Sequence, residues 1–160
     1  MNKKGFTLIE LLAVIVVLGV VLLLAMPSIL DSINASRDSS YKILIGNIKT
    51  AAETYYQECE YGDLSDKNKY GDYACAIDNN TINITIEDLA NTGILKVSES
   101  DENNKLVVLD PRDTTKNLNS CRIQIIKIVD KDNKFKVTYQ INGSTQDGCP
   151  TTKDLQWGSD

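Results

Sequence analysis

The sequence predicts an α+β fold in which one long N-terminal helix packs on a small antiparallel β-sheet head. An apolar run opens the chain from Phe6 to Met26, and an amphipathic stripe continues it to about Glu58. The C-terminal third then contains short segments that alternate apolar and polar residues, which is typical of strands. About 115 of the 160 residues remain for the head, enough for one modest core.

The apolar run is long enough to cross a membrane. At about 1.5 Å per residue it covers about 30 Å, the thickness of a bilayer's hydrocarbon core. Two lysines, Lys3 and Lys4, precede it, so the positive-inside rule predicts a cytoplasmic N-terminus and an external head. The run's only residues that are not apolar are Thr7, Glu10 and Gly19.

A secretory signal peptide is the competing interpretation of this start. Such a peptide has an apolar region of about 7–15 residues followed by a cleavage site of small residues. Here the run is longer and ends in Met26-Pro27-Ser28. We therefore expect the segment to stay on the mature chain as an anchor.

The segment Lys4-Gly5-Phe6-Thr7-Leu8-Ile9-Glu10-Leu11-Leu12 resembles the class III leader of type IV prepilins. The resemblance implies a type IV pilin fold, cleavage between Gly5 and Phe6 by a prepilin peptidase, and N-methylation of Phe6. It also gives Glu10 a role in subunit assembly and Pro27 that of a helix kink. The close match covers about residues 3–30, and beyond it only the layout of the chain agrees.

Within this resemblance the chain divides into three parts. Residues 1–5 are a leader that is removed, residues 6–28 are the membrane-spanning and filament-core half of the helix, and residues 29–160 are the extracytoplasmic head. The head includes the amphipathic half of the helix.

A charged side chain such as that of Glu10 raises the free energy of inserting a helix into a membrane. The cost is about 2.5–3.5 kcal/mol at the helix centre and less near an end. Cleavage after Gly5 would free a cationic Phe6 amine four residues before Glu10. An amine paired with this carboxylate, within one subunit or between two, would offset part of the desolvation cost. The alternative is a glutamate that only reaches back to the cytoplasmic interface.

After the span, apolar residues recur at steps of three and four, so Phe6 to about Glu58 is expected to form one helix. Pro27 removes a backbone donor near the exit from the membrane, and we expect it to kink or loosen the helix there. An ordinary helix break is the alternative. Members of the stripe are Leu30, Ile33, Tyr41, Leu44, Ile48, Ala52, Tyr55 and Cys59.

Four cysteines lie on the predicted outer side, where an even count indicates two disulfides. Three connectivities are possible. We favour Cys59–Cys75 and Cys121–Cys149, because pairing of nearest neighbours closes short loops, and the second pair resembles the C-terminal disulfide loop of many pilins. No CxxC spacing supports a zinc site.

The head is read as a series of short elements. Residues 60–80 are polar and predict a surface loop, Thr85 begins a short helix that Gly93 ends, and 105–109 predicts a strand. A hairpin follows, from 121–129 and 134–141 around Lys131-Asp132-Asn133. Its first strand has isoleucines on both faces, which predicts either a bulge near Ile125 or cover on both faces, one of them by the long helix. We expect little order in 151–160 beyond Leu155 and Trp157.

Charge and motifs exclude several classes of function. The formal net charge is −5, and removal of Lys3 and Lys4 leaves 15 Lys and Arg against 22 Asp and Glu, a net charge of −7. This disfavours direct binding of nucleic acid. The chain has no histidine and no catalytic motif, so we expect no enzymatic activity and no cofactor. Calcium at Asp130, Asp132 and Asn133 or at 110–113 is disfavoured, since the spacing lacks a calcium loop's glycine and distal glutamate.

The resemblance implies a structural subunit of a type IV pilus, with itself as main partner in a filament and roles in adhesion or twitching motility. Its other partners would be the prepilin peptidase and methyltransferase, the assembly platform with its ATPase, and the membrane before assembly. A minor pilin, or a pseudopilin of a secretion or DNA-uptake system, is the near alternative. A monomeric membrane-tethered binding module is the alternative from another class.

Overall fold

The computed structural model describes residues 7–62, 75, 77–129 and 137–156. Its first element is a helix of 54 residues, α1 (Leu8–Tyr61), which confirms the long helix and extends three residues past the expected end. This helix continues through Pro27 without interruption, so the simple break is not found, while the kink stays a prediction. Contacts divide the chain into two units, Met1–Ser39 and Ser40–Asp160.

Seven short elements follow α1 in the part of the chain that the structure describes. Two antiparallel sheets are present among the described residues, one with the strand order β1-β4-β5 and one formed by β2 and β3. The bounds are β1 (Thr81–Thr85), α2 (Ile86–Asn91), β2 (Leu109–Asp110), β3 (Asp113–Asn117), β4 (Arg122–Val129), β5 (Val137–Asn142) and α3 (Thr152–Gln156).

The head half of α1 covers one face of the three-stranded sheet, as expected. Tyr56 of α1 meets Tyr139 of β5 with ring centroids 5.3 Å apart. Ile123, Ile125 and Ile141 point to this face and are fully or almost fully buried in the same apolar cluster as the helix. The cluster's helix members are Tyr41, Ile45, Ile48, Ala51, Ala52, Tyr55, Tyr56 and Cys59.

The opposite face of the sheet corrects an expectation. β4 pairs with β5 in regular register from Gln124↔Asn142 to Val129↔Val137, so no bulge lies near Ile125 in these strands. This face is not fully covered either, because Ile128 is 43% exposed. Side-chain amides dominate it instead: Gln140 donates to Asn142, Asn142 to Gln124 and Gln124 to Asn83.

The sequence analysis did not predict β1, but it correctly placed the helix that follows β1. Thr81–Thr85 pairs along its whole length with β4, after a tight turn in which Asn79 and Asn80 have positive φ. Thr85 caps α2: its hydroxyl accepts from the backbone N–H of Asp88, whose carboxylate accepts from that of Thr85. Gly93, at φ 74°, follows the helix as predicted.

The predicted strand at 105–109 has the wrong bounds. Of these five residues only Leu109 belongs to a strand, β2, while Leu106 forms an isolated bridge with Ser100. Asp101 accepts from the backbone N–H of Lys105 at 2.9 Å and organises a turn there. Further on, the Asn119 side chain accepts from the N–H of Val108 and donates to the carbonyl of Leu106. The Asn119 side chain thus forms the backbone hydrogen bonds that a neighbouring strand would otherwise form with this segment.

The C-terminal tail is more ordered than the sequence indicated. Thr151 and Asp154 cap α3 with reciprocal hydrogen bonds of 2.8 Å and 3.3 Å between backbone N–H and side chain. Leu155 has no exposed surface and joins the core. The T-x-x-D pattern and one buried leucine order this segment, while Trp157 lies outside the described residues.

Two disulfides join the head, in the connectivity that the sequence analysis favoured. Cys59 at the end of α1 pairs with Cys75, and Cys121 before β4 pairs with Cys149. Their Cα atoms are 5.4 Å and 5.5 Å apart. The first pair fixes the far end of the helix, and the second ties the C-terminal loop to the central strand.

Candidate functional site: the N-terminal half of the long helix

The N-terminal half of α1 is apolar and exposed on all sides. This helix contains the one segment, among the described residues, that is long and apolar enough to cross a membrane, and none of that segment is buried within the chain. Exposure reaches 83% at Leu8 and is still 52% at Leu12. Such a helix needs an apolar environment from outside its own chain, from lipid or from other protein.

Glu10 forms a capping box with Thr7 at the start of this helix. The Thr7 backbone N–H donates to Glu10 Oε2 at 2.8 Å, and the Thr7 hydroxyl donates to the same oxygen at 2.9 Å. In return the Glu10 N–H donates to Thr7 Oγ1 at 3.4 Å. Donors at the helix start are thereby satisfied within the first turn.

The sequence analysis missed this capping box. Its signal was the T-x-x-E spacing before an apolar run, the same pattern that was used to place the helix after Thr85. The box gives Glu10 a structural role inside its own chain. Thr7 and Glu10 both lie after the expected cleavage point, so the box is compatible with leader removal.

The remaining predicted site residues are distributed as follows. Gly5 and Phe6 lie outside the described residues, so cleavage, methylation and the contact of Glu10 with a Phe6 amine stay predictions. Pro27 lies within α1. Among the described residues no group of three or more acidic, cysteine or histidine side chains could hold a metal ion.

Of the two candidate calcium sites, the structure describes only one. Asp130, Asp132 and Asn133 lie outside the described residues. In the other segment, Asp110 accepts a bidentate pair of hydrogen bonds from Arg112, and Asp113 accepts from the hydroxyl of Thr115 at 2.6 Å. Those carboxylates are engaged in turn geometry and ion pairing.

Gly19 lies in the middle of the exposed apolar stretch. A Cβ placed on it would meet no atom within 4 Å, so the isolated chain does not need glycine there. Small residues are common where membrane helices approach one another closely. The position is thus available for close contact with another helix.

Comparisons with known proteins match the chain at its start. No curated protein and no solved structure matches it. A protein-family model described as the prokaryotic N-terminal methylation motif matches residues 1–26, the segment that contains Glu10 and the whole apolar run. With its long helix, small antiparallel sheet and two disulfides, the chain has a type IV pilin-like α+β architecture and carries the leader signature of type IV prepilins.

Proposed function

We propose that the protein is a structural subunit of a type IV pilus and that it polymerises through the N-terminal half of α1. The observation that carries the proposal is a methylation motif on an apolar helix segment, none of which is buried within the chain. A leader of this kind implies processing by a prepilin peptidase. Cleavage after Gly5 and N-methylation at Phe6 would follow from it.

One segment would serve two environments. Before assembly, residues 6–28 anchor a single-pass prepilin whose N-terminus is cytoplasmic and whose head is outside. After extraction by an assembly platform and its ATPase, the same side chains bury against other copies in a homopolymer at the cell surface. Exposed leucines and valines on every side of the helix suit both, because lipid and neighbouring helices are equally apolar.

Glu10 would act in assembly through its charge. The capping box uses hydrogen bonds to Oε2 and does not neutralise the carboxylate. A cationic Phe6 amine, from the same or a neighbouring subunit, would supply the missing charge in an apolar bundle. Leader removal would therefore be required before Glu10 can be buried.

N-terminal mass spectrometry of the mature protein is the first test. We expect a chain that begins at Phe6 and carries a methyl group on its amine. A mature chain that begins at Met1 would overturn the pilin assignment and favour a monomeric membrane-tethered binding module.

A pair of substitutions separates the charge of Glu10 from its capping role. Glu10→Gln keeps an acceptor for Thr7, since glutamine also serves in capping boxes, but has no charge. Thr7→Ala keeps the charge and loses the cap, at about 1 kcal/mol. We expect Glu10→Gln to reduce filament number at least 10-fold by electron microscopy, and Thr7→Ala to reduce it much less. Unchanged filaments in Glu10→Gln would show that charge pairing is not used.

The abundance of this chain in filaments separates a major subunit from a minor pilin or a pseudopilin. We propose the major subunit, because Glu10 is present and the head is small. Mass spectrometry of sheared filaments should then show this chain as the dominant protein. A trace amount would instead assign it to the minor or pseudopilin class.

A further inference from the structure

The head half of α1 is held at both ends by a tyrosine and an ion pair. At its start, the guanidinium carbon of Arg112 lies 3.3 Å from the centroid of the Tyr41 ring. At its end, Lys127 Nζ lies 2.5 Å and 2.6 Å from the two oxygens of Glu60 and 3.2 Å from the Tyr61 hydroxyl. We call these the first clamp (Tyr41, Asp110, Arg112) and the second clamp (Glu60, Tyr61, Lys127).

The first clamp is rigid because Asp110 orients Arg112. Arg112 Nε and Nη2 donate to the two Asp110 oxygens at 3.1 Å and 2.8 Å, and the Arg112 backbone N–H donates at 2.9 Å. Asp110 is 2% exposed. A bidentate pair fixes the plane of the guanidinium, which then stacks on the tyrosine ring.

The pKa shifts of Asp110 and Arg112 agree with the geometry of the first clamp. Burial raises the pKa of the Asp110 carboxyl, but the hydrogen bonds from Arg112 outweigh it and hold that pKa below its usual range. The hydrogen bonds to Asp110 in turn raise the pKa of Arg112. Both partners are therefore charged at neutral pH.

Residues 28–40, which we call the joint segment, precede the first clamp and make a weak helix. Every side chain in it is exposed, so no buried side chain supports its helical backbone. It contains five serines, two aspartates and one asparagine, all poor helix formers, and Pro27 before it lacks a backbone donor. The Ser32 hydroxyl also donates to the Ser28 carbonyl at 3.0 Å, a contact that competes with helical hydrogen bonding.

Tyr41, immediately after the joint segment, is the first buried side chain among those of α1 that the structure describes. Helix opening that starts in residues 28–40 therefore reaches the buried core at Tyr41. Openings are cheapest where few buried contacts must break, and they stop where such contacts begin.

We propose that the joint segment opens and closes as helix while the first clamp stops the opening at Tyr41. Opening is thereby confined to residues 28–40 and leaves the head's own core intact. Arg112 is the residue on which this limit depends, because Arg112 contacts both the ring and the buried carboxylate.

Amide hydrogen exchange of the full-length mature protein in lipid nanodiscs tests the proposal. In the wild type, peptides from 28–40 should exchange at least 100-fold faster than peptides from 41–48. Arg112→Gln should accelerate exchange at 41–48 at least 10-fold and leave 28–40 unchanged. Because the chain is not assembled here, the result does not depend on whether it forms filaments.

Matched variants complete the test. Lys127→Gln weakens the second clamp and should accelerate exchange near 56–61 without affecting 41–48. Ser32→Ala with Asn34→Ala raises helix propensity and should slow exchange in 28–40. Equal protection on both sides of Tyr41 in the wild type would overturn the proposal, as would unchanged exchange at 41–48 in Arg112→Gln. Should that variant fail to fold, the wild-type profile and the milder Arg112→Lys, which cannot form the bidentate pair, decide the question.

Discussion

At Asp110 a carboxylate with 2% of its surface exposed is kept charged mainly by its neighbour Arg112. Three hydrogen bonds from Arg112 replace those that water would provide, and they come from one backbone amide and one guanidinium two residues away. The two residues are therefore neighbours in the chain, although the burial of Asp110 depends on the folded head. The Arg112 guanidinium also contacts the Tyr41 ring, and this contact joins the turn at 110–112 to the distant helix α1.

Asp110 should make the head sensitive to acid. Since its pKa is lowered by folding, the stability it contributes is present above its usual value of 3.8 and is lost as pH falls below that value through the folded pKa. Asp110→Asn should cost about 2 kcal/mol at pH 7. Between pH 5 and pH 2.5 the variant's melting temperature should fall less than that of the wild type, and equal falls would contradict this account.

The helices of the head show how a few side chains place short elements. α2 and α3 have six and five residues, too short to persist on helix propensity alone. Each begins with a Thr-x-x-Asp capping box and inserts an apolar side chain into the core. Capping sets where the chain turns into a helix, and burial keeps it there.

Leu155 is the side chain that should hold α3 in place. It has no exposed surface, so Leu155→Ala should reduce the free energy of unfolding by about 2–5 kcal/mol. The exposed neighbour Lys153 provides the control, with an expected change within about 0.5 kcal/mol for Lys153→Ala. Thermal melting followed by circular dichroism measures both, and similar small shifts would show that α3 does not support the core.

Gly19 gives a prediction at the level of α1. Gly19→Leu should leave membrane insertion and helix content unchanged, because nothing in the isolated chain lies within 4 Å of the added Cβ. Filament number should fall at least 10-fold if helices of neighbouring copies approach closely there. Val21→Leu, a change of one methylene nearby, is the control, and normal filaments in Gly19→Leu would place this face of the helix outside the contact.

At the scale of the whole molecule the chain is two units with different sources of stability. Ser40–Asp160 has its own apolar core and two disulfides, whereas the described part of Met1–Ser39 is helix with exposed side chains. A head of this size benefits from cross-links, because small domains bury a smaller share of their surface.

The disulfides should contribute unequally to the head. In the chain-entropy model, the separations of 16 and 28 residues correspond to about 3 and about 3.5 kcal/mol. Cys121 is also among the most deeply buried side chains of the head. Replacing Cys121 and Cys149 by serine should therefore lower the melting temperature more than replacing Cys59 and Cys75, as differential scanning calorimetry can measure; the reverse order would contradict this ranking.

Local patterns were sufficient for much of the fold. The apolar run, the amphipathic stripe, the helix after Thr85 and the hairpin strands follow from periodicity and capping residues that act within a few positions of the chain. The prepilin leader signature likewise lies within one short segment of the chain. The Thr7–Glu10 and Thr151–Asp154 boxes are local signals of the same kind, although they were not among the predictions.

Contacts between distant residues decided the rest. The position of β1 depends on its pairing with β4 some 40 residues later, and the course of 106–108 depends on the side chain of Asn119. The stacking of Arg112 on Tyr41 joins residues 71 positions apart. By itself the sequence determined an exposed apolar helix with a leader, since these are local properties, while only the tertiary structure decided where the head begins to hold that helix, because that depends on which distant side chains meet it.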